Sequence, residues 1–250
     1  MAQHMRVHGI VTRYVNYKDN DRILTIFTKE CGRMDAKARG CRREKSPLLA
    51  CAQPFVYGEF LLYSSKNHAA VNQCDIRESF YPLRENYWKL SAASAMLNLC
   101  QQAIQEGEPN EELFSLLYYS LSFLSYGQAD PVDLTLCFLI RYFERVGLCP
   151  HIIHCSKCAK DLRTEKELYF SASAGGALCK SCGGGFPVSP LALEALRRML
   201  LLENANMDDV KLPFTLRKEL FRLLERYAEY QLERENKPLE ALKNRLTMEE

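Results

Sequence analysis

The 250-residue sequence lacks a long hydrophobic run: no stretch approaches the roughly 20 uncharged apolar residues that a membrane-spanning helix needs. Residues 1–8 lack the apolar core of a secretory signal, so we expect a cytoplasmic protein with no membrane partner. Internal repeats and low-complexity segments are missing as well. Hydrophobic residues make up 47% and charged residues 26% of the chain. These values exclude a disordered or fibrous chain and leave room for two small domains.

The sequence also lacks the short motifs of the common nucleotide-binding and catalytic sites. It contains no Gly-x-x-x-x-Gly-Lys-Ser/Thr phosphate loop, no Gly-x-Gly-x-x-Gly, no His-Glu-x-x-His and no Gly-x-Ser-x-Gly. Three of its five histidines, His4, His8 and His68, lie in the N-terminal part without a candidate nucleophile as partner. We therefore predict that the protein is not an enzyme.

Net charge is small, at +2, but it is unevenly distributed along the chain. Residues 1–80 carry 13 Lys and Arg against 8 Asp and Glu, whereas residues 81–250 carry 20 against 23. Most of the basic excess lies in residues 29–45, which hold seven basic and three acidic side chains. This asymmetry indicates a polyanionic partner for the N-terminal part of the chain.

The N-terminal part has the pattern of five short β-strands separated by turn residues. This number of short strands is typical of a small barrel, of which the OB-fold is the common five-stranded form. Periodicity alone does not separate an OB-fold from an SH3-like barrel. The predicted strands are Val7–Tyr14, Arg22–Thr28, Arg33–Ala38, Pro54–Tyr63 and Ala69–Ile76.

From Pro82 onwards the apolar residues recur at helical spacing instead. Asp130-Pro131 and Ser189-Pro190 each combine a capping residue with proline at the first helical position, and so predict two helix starts. The last residues, 239–250, are few and highly charged, and we expect them to fray.

These patterns predict an α+β multi-domain fold. Residues 1–80 form a small five-stranded barrel, an OB-fold or an SH3-like barrel, with a polyanionic partner. Residues 81–250 form an all-α helical body, and residues 149–188 interrupt it as a zinc-ribbon insert.

The insert contains four of the eleven cysteines, arranged as two Cys-x-x-Cys pairs. An odd total argues against the disulfide framework of a secreted protein. Two such pairs place four thiolates at the corners of a tetrahedron, which suits one structural zinc ion. The predicted ligands are Cys155, Cys158, Cys179 and Cys182. We expect most of the other seven cysteines to be reduced and buried.

Three other interpretations of the cysteine pairs are weaker. A redox pair would occur in a βαβ context, which is missing here. A catalytic zinc would keep an open position and use histidine or carboxylate ligands. His151 and His154 lie beside the first pair and are alternative ligands.

A run of cations follows the third predicted strand, and it comprises Lys37, Arg39, Arg42, Arg43 and Lys45. Cations this close together neutralise phosphates without being buried, so we predict that these five residues bind the phosphate backbone of a nucleic acid. The alternative is a solvated charged loop. Aromatic residues near the run in sequence could stack on bases, although each of them is more commonly a core residue. They are Tyr14, Tyr17, Phe27, Phe55 and Tyr57.

Several segments in this order resemble the RecO family of bacterial recombination mediators, which are DNA repair proteins of the RecF pathway. The resemblance covers essentially the whole chain and is most specific in residues 21–46. It is carried by Asp21-Arg-Ile-Leu-Thr-Ile-Phe-Thr, Cys31-Gly-Arg, Lys37-Ala-Arg-Gly-Cys-Arg-Arg-Glu-Lys-Ser, Gln53-Pro-Phe, Glu78-Ser-Phe, Pro82-Leu-Arg, Glu106-Gly-Glu-Pro, the cysteine pairs and Ser189-Pro190.

The resemblance implies that residues 1–80 form an OB-fold barrel that binds nucleic acid, and that a zinc finger is inserted in a helical body. It also implies that the protein binds single- and double-stranded DNA and anneals complementary strands. It implies three protein partners: RecR, the C-terminal tail of single-strand-binding protein and, indirectly, RecA, which the family helps to load. It places DNA on the five cations and Zn²⁺ on the four cysteines, and it implies a nucleoid-associated location. The alternative is a zinc-stabilised OB-fold adaptor that binds a protein or RNA.

Overall fold

The computed structural model describes residues 3–65, 68–234 and 236–248. Within these ranges the strands are β1 Gln3–Tyr17, β2 Asp21–Thr28, β3 Gly32–Ala38, β4 Tyr57–Ser65, β5 His68–Glu78, β6 Leu168–Ser171, β7 Gly176–Cys179 and β8 Phe186–Val188. The α-helices are α1 Tyr87–Ala103, α2 Glu111–Tyr126, α3 Pro131–Arg145, α4 Pro190–Leu201, α5 Phe214–Leu232 and α6 Lys237–Met248. Short 3-10 helices cover Tyr81–Glu85 and Asn204–Asp209.

Strands β1 to β5 close into a barrel in the order β1-β2-β3-β5-β4. The long strand β1 pairs with β2 through its C-terminal part and with β4 through its N-terminal part, and its register shifts between Val11 and Arg13. Such a shift bends a strand and lets it serve both neighbours. A short parallel pairing, Lys37 with Ala70 and Ala36 with Ala69, joins β3 to β5 and completes the barrel. This topology is that of an OB-fold, and the predicted fold class is confirmed.

The barrel belongs to a compact unit that comprises residues 1–82 and 97–121. The Phe27 ring lies 5.3 Å from that of Phe114 on α2, edge to face. Backbone bonds join the β2–β3 turn to the segment after α1, since Arg33 N donates to Gln105 O at 2.9 Å. At Gly32, where φ is +67°, a side chain would strike the Gln105 carbonyl. The domain boundary between residues 80 and 81 stays a prediction.

The second unit comprises residues 83–96 and 122–250. Its helix starts agree with the sequence: the Asp130 carboxylate accepts from Val132 N at 2.8 Å, and Ser189 Oγ accepts from Ala192 N at 3.1 Å. A buried ion pair joins α3 to α5, with Arg217 Nε 2.7 Å from Asp133 Oδ1. Burial raises the pKa of Asp133, although the hydrogen bonds from Arg217 oppose that change.

The expected fraying of the C-terminal residues is wrong for the described part of this segment, which forms α6. Its three leucines are buried, and Asn236 Nδ2 donates to the Ala95 carbonyl at 3.3 Å just before the helix begins. Apolar residues at 239, 242 and 246 follow helical spacing, so burial of one face stabilises a short helix whose other face is charged. Across the described parts of the chain, no helix combines the length and apolar character that crossing a bilayer requires.

Candidate nucleic-acid interface and metal centre

The five predicted DNA-binding cations lie at one end of the barrel, on β3 and on the connection between β3 and β4. Lys37 belongs to β3 and is half-buried, whereas the other four side chains follow the strand and are exposed. The side chains of Arg39, Arg43 and Lys45 make no hydrogen bond or ion pair with any residue that the structure describes. They are therefore available to a phosphate backbone.

Asp21, the first residue of β2, holds the beginning of this connection. Its carboxylate accepts from Gly40 N at 2.7 Å and forms a 3.0 Å ion pair with Lys37 Nζ. The Gly40 N–H, followed by the Lys37 ammonium, keeps the pKa of Asp21 below its usual range. Gly40 has φ +64°, a left-handed conformation that turns the chain away from β3.

The β1–β2 turn lies against the same connection. Arg42 donates its backbone N–H to Asn20 O and its Nη1 to Asp19 O, both at 3.0 Å. This contact adds Lys18 to the exposed cations at this end of the barrel. We use the term basic surface for Lys18, Lys37, Arg39, Arg42, Arg43 and Lys45.

Arg22 also belongs to this end of the barrel, but its side chain has a structural role. Its guanidinium lies 3.8 Å from the centroid of the Tyr14 ring, and Nη1 donates to Ala52 O at 2.7 Å. Arg22 thus fixes the far part of the β3–β4 connection. The sequence pattern gave no signal for this role, because the contact joins residues 30 positions apart.

The five aromatic candidates occupy different environments. Phe27 and Phe55 are buried, with exposed fractions of 0% and 5%. Tyr57 packs against Phe114 and Tyr118 of α2. Tyr14 is covered by Arg22, and Tyr17 is 40% exposed at the end of β1. Most of these aromatic residues therefore have a packing role, and Tyr17 is the one of the five that is exposed at the basic surface.

The four predicted zinc ligands come together in the insert. Their Sγ atoms all lie within 4.8 Å of one another, and those of Cys158 and Cys179 are 3.7 Å apart. A tetrahedral zinc ion with Zn–S bonds of about 2.3 Å needs sulfur atoms roughly 3.8 Å apart. Cys155 and Cys179 are buried, while Cys158 is exposed. The donor set and its spacing fit a tetrahedral metal ion with four thiolate ligands.

The two Cys-x-x-Cys turns supply backbone donors to the sulfur atoms. Cys179 N lies 3.5 Å from Cys155 Sγ, and Ala159 adopts φ +59° where the first turn closes. Burial opposes ionisation of Cys155, but backbone N–H groups of Cys179, Cys158 and Lys157 outweigh it and lower the pKa of this thiol to about 6. Hydrogen bonds with the Cys158 and Cys179 sulfur atoms raise the pKa of the Cys182 thiol to about 12. Binding of a metal ion by all four thiolates must therefore release protons.

The neighbours of the cluster have other contacts. His151 and His154 are exposed, and neither ring belongs to the group of four within the described residues. The ammonium groups of Lys160 and Lys180 pair with glutamates, at 2.7 and 2.8 Å. The insert's three-stranded sheet packs through Phe170, whose ring lies 5.7 Å from that of Tyr227 on α5.

Two family models match the chain, one on each side of the predicted boundary. The model described as "Recombination protein O N terminal" matches residues 1–80, and "Recombination protein O C terminal" matches residues 84–240. The chain belongs to the RecO family. The N-terminal RecO match coincides with the barrel strands, and the C-terminal RecO match includes the cysteine cluster.

Relatives at about 30% identity cover nearly the full chain. The DNA repair protein RecO of Acetivibrio thermocellus is 32% identical over 244 residues, which are 96% of this chain and 96% of the relative. Those of Alkaliphilus metalliredigens and Pelotomaculum thermopropionicum are 31% and 33% identical, over 93% of this chain and 95% and 91% of the relatives. The prediction of a DNA repair protein of the RecO family is confirmed.

Proposed function

We propose that this RecO-family protein is a non-enzymatic recombination mediator of the RecF pathway. It binds single- and double-stranded DNA and anneals complementary strands. The observation that carries the proposal is the basic surface, where exposed cations gather at one end of an OB-fold barrel. OB-folds bind oligonucleotides on the face of strands 2 and 3 and at the β1–β2 and β4–β5 loops, and the basic surface includes residues of β3 and of the β1–β2 turn.

The proposed mechanism of annealing is charge neutralisation. Lys and Arg side chains replace the counterions around the phosphates, and the released ions provide the binding free energy. With their charge lowered, two strands approach each other more easily, and both are concentrated on the protein surface. This process needs no covalent step, no nucleotide and no catalytic residue.

Partners of the protein follow from the same proposal. The protein acts with RecR, binds the C-terminal tail of single-strand-binding protein through its helical body, and helps to load RecA onto coated strands. Binding to chromosomal DNA makes its location nucleoid-associated. Membership of the RecO family supports a role in recombination and DNA repair, within which these partners are proposed.

Zinc is the proposed occupant of the cysteine cluster, with Cys155, Cys158, Cys179 and Cys182 as ligands. Four thiolates leave no open coordination position, so the ion stabilises the fold of the insert and carries out no chemistry. The small three-stranded sheet gains a cross-link that its short strands do not supply themselves.

A salt titration of oligonucleotide binding tests the proposal. We expect the double variant Arg39→Ala/Arg43→Ala to weaken binding to all DNA sequences and to flatten the slope of log affinity against log salt by roughly one to two units. Arg6→Ala/Arg77→Ala is the matched control, because it removes two barrel cations that pair with Glu59 instead. Unchanged affinity and slope in the first variant would place the DNA site elsewhere, at Lys157, Lys160 and Lys180 of the insert. Absence of salt-dependent DNA binding by the wild type would contradict the DNA-binding role and favour the adaptor.

A further inference from the structure

Tyr17 is the one exposed ring among the five aromatic candidates near the basic segment. It is the last residue of β1 and 40% exposed, whereas the other four are buried, packed against α2 or covered by Arg22. Because this ring is exposed, packing in the barrel core does not explain why an aromatic residue stands at this position.

Two cations of the basic surface surround this ring. Lys37 Nζ lies 4.5 Å from the ring centroid and Lys18 Nζ lies 5.6 Å from it. Lys37 is also held by Asp21, so it stays in place. Lys18 Nζ forms no hydrogen bond or ion pair with any residue that the structure describes, and its side chain is free to turn from the ring to a phosphate.

We propose that Tyr17 is the residue by which the basic surface distinguishes single-stranded from duplex DNA. An unpaired base stacks on the ring while Lys18 turns to the adjoining phosphate. A duplex offers the same phosphates, but its bases are already stacked on one another and cannot reach the ring. This inference rests on the proposed DNA-binding function, and it adds the preference for one substrate class.

The test compares three oligonucleotides of equal length: a mixed-sequence single strand, a single strand of abasic sites and a duplex. Base stacking on an aromatic side chain changes affinity by about 5- to 140-fold per base when the ring is replaced by alanine. We expect Tyr17→Ala to weaken binding of the mixed single strand by that factor. Binding of the abasic strand and of the duplex should change less than twofold, because both bind through phosphates.

Two further variants control for loss of structure. Tyr17→Phe keeps the ring and should bind all three oligonucleotides as the wild type does. Tyr81→Ala removes a tyrosine that is 61% exposed and follows β5, the strand whose beginning pairs with the Lys37 end of β3. Tyr81 therefore lies beyond the other end of the barrel, and its removal should leave binding unchanged.

The outcomes separate this inference from the proposed function. An equal loss of affinity for all three oligonucleotides in Tyr17→Ala would overturn the inference, because the ring would then act only by positioning Lys37. Unchanged binding of the mixed strand by Tyr17→Ala would overturn it as well. If the wild type fails to bind any of the three in a salt-dependent manner, the proposed function fails first. The salt slope of Tyr17→Ala should equal that of the wild type, since no phosphate contact is lost.

Discussion

Lys37 and Asp21 form an ion pair of 3.0 Å across the β2–β3 hairpin, and the same carboxylate accepts the Gly40 N–H at 2.7 Å. Asp21 therefore joins the start of β2 to the segment that carries the basic surface. It also partly neutralises one of the five cations that the sequence assigns to DNA.

The first prediction concerns Asp21 and acid. Its pKa is lower in the folded state than in the unfolded chain, so its stabilising effect is complete above the unfolded pKa of about 4 and is lost as pH falls through the folded value. We expect Asp21→Asn to lower the free energy of unfolding near neutral pH and to weaken its dependence on pH below about pH 4. Urea unfolding of both proteins across this pH range measures the effect. Parallel pH curves for the two proteins would show that ionisation of Asp21 does not contribute to stability.

The second prediction concerns the metal. Purified protein should contain one zinc ion per chain, and Cys179→Ser should lower the zinc content and speed amide hydrogen exchange in residues 149–188 while sparing the barrel. Cys149→Ser is the matched control, since this thiol lies in the same insert but outside the cluster of four. Full zinc occupancy in Cys179→Ser would assign the fourth ligand to another side chain, such as His151.

The third prediction concerns energy supply. Annealing by charge neutralisation needs no hydrolysis, so complementary strands should anneal at the same rate with and without ATP. A fluorescence-quenching assay with labelled strands gives the rates. An ATP requirement of the purified protein alone would contradict both the proposed mechanism and the prediction that the protein is not an enzyme.

The fourth prediction compares two glycines with positive φ. A side chain at Gly32 would collide with the Glu108 carbonyl oxygen, whereas at Gly107 nothing lies within 4 Å. Gly107→Ala should therefore cost only the left-handed strain, about 1–2 kcal/mol. Gly32→Ala should lower the free energy of unfolding by more, because the backbone must also move apart. Chemical denaturation ranks the two variants, and equal losses would show that the approach of residues 104–108 to the turn adds no stability.

The barrel and the metal cluster could be predicted from the sequence because their signals are local. Alternating strands, the capping pairs at Asp130 and Ser189, and two Cys-x-x-Cys motifs each depend on residues a few positions apart. The assignment of zinc to the four cysteines and of DNA to the five cations also depends on residues close in sequence, and both remain predictions.

Features that depend on tertiary contacts could not be predicted. The stacking of Arg22 on Tyr14 and the attachment of the β1–β2 turn to Arg42 join segments distant in sequence. Helix α6 was missed because its charged face dominates the composition, while three leucines supply the burial that stabilises it. The exposure of Tyr17 was equally hidden, since strand propensity does not distinguish a core tyrosine from a surface one.

Residues 97–121 belong to the same compact unit as the barrel, which matters for the choice of a truncated fragment. A fragment that ends at residue 80 would contain the five barrel strands. It would lack Phe114, which packs against Phe27, and Gln105, whose carbonyl accepts from Arg33 N. Its newly uncovered aromatic surface would favour aggregation. We therefore expect the barrel strands to fold cooperatively only together with residues 97–121, which lie beyond the end of the N-terminal family match at residue 80.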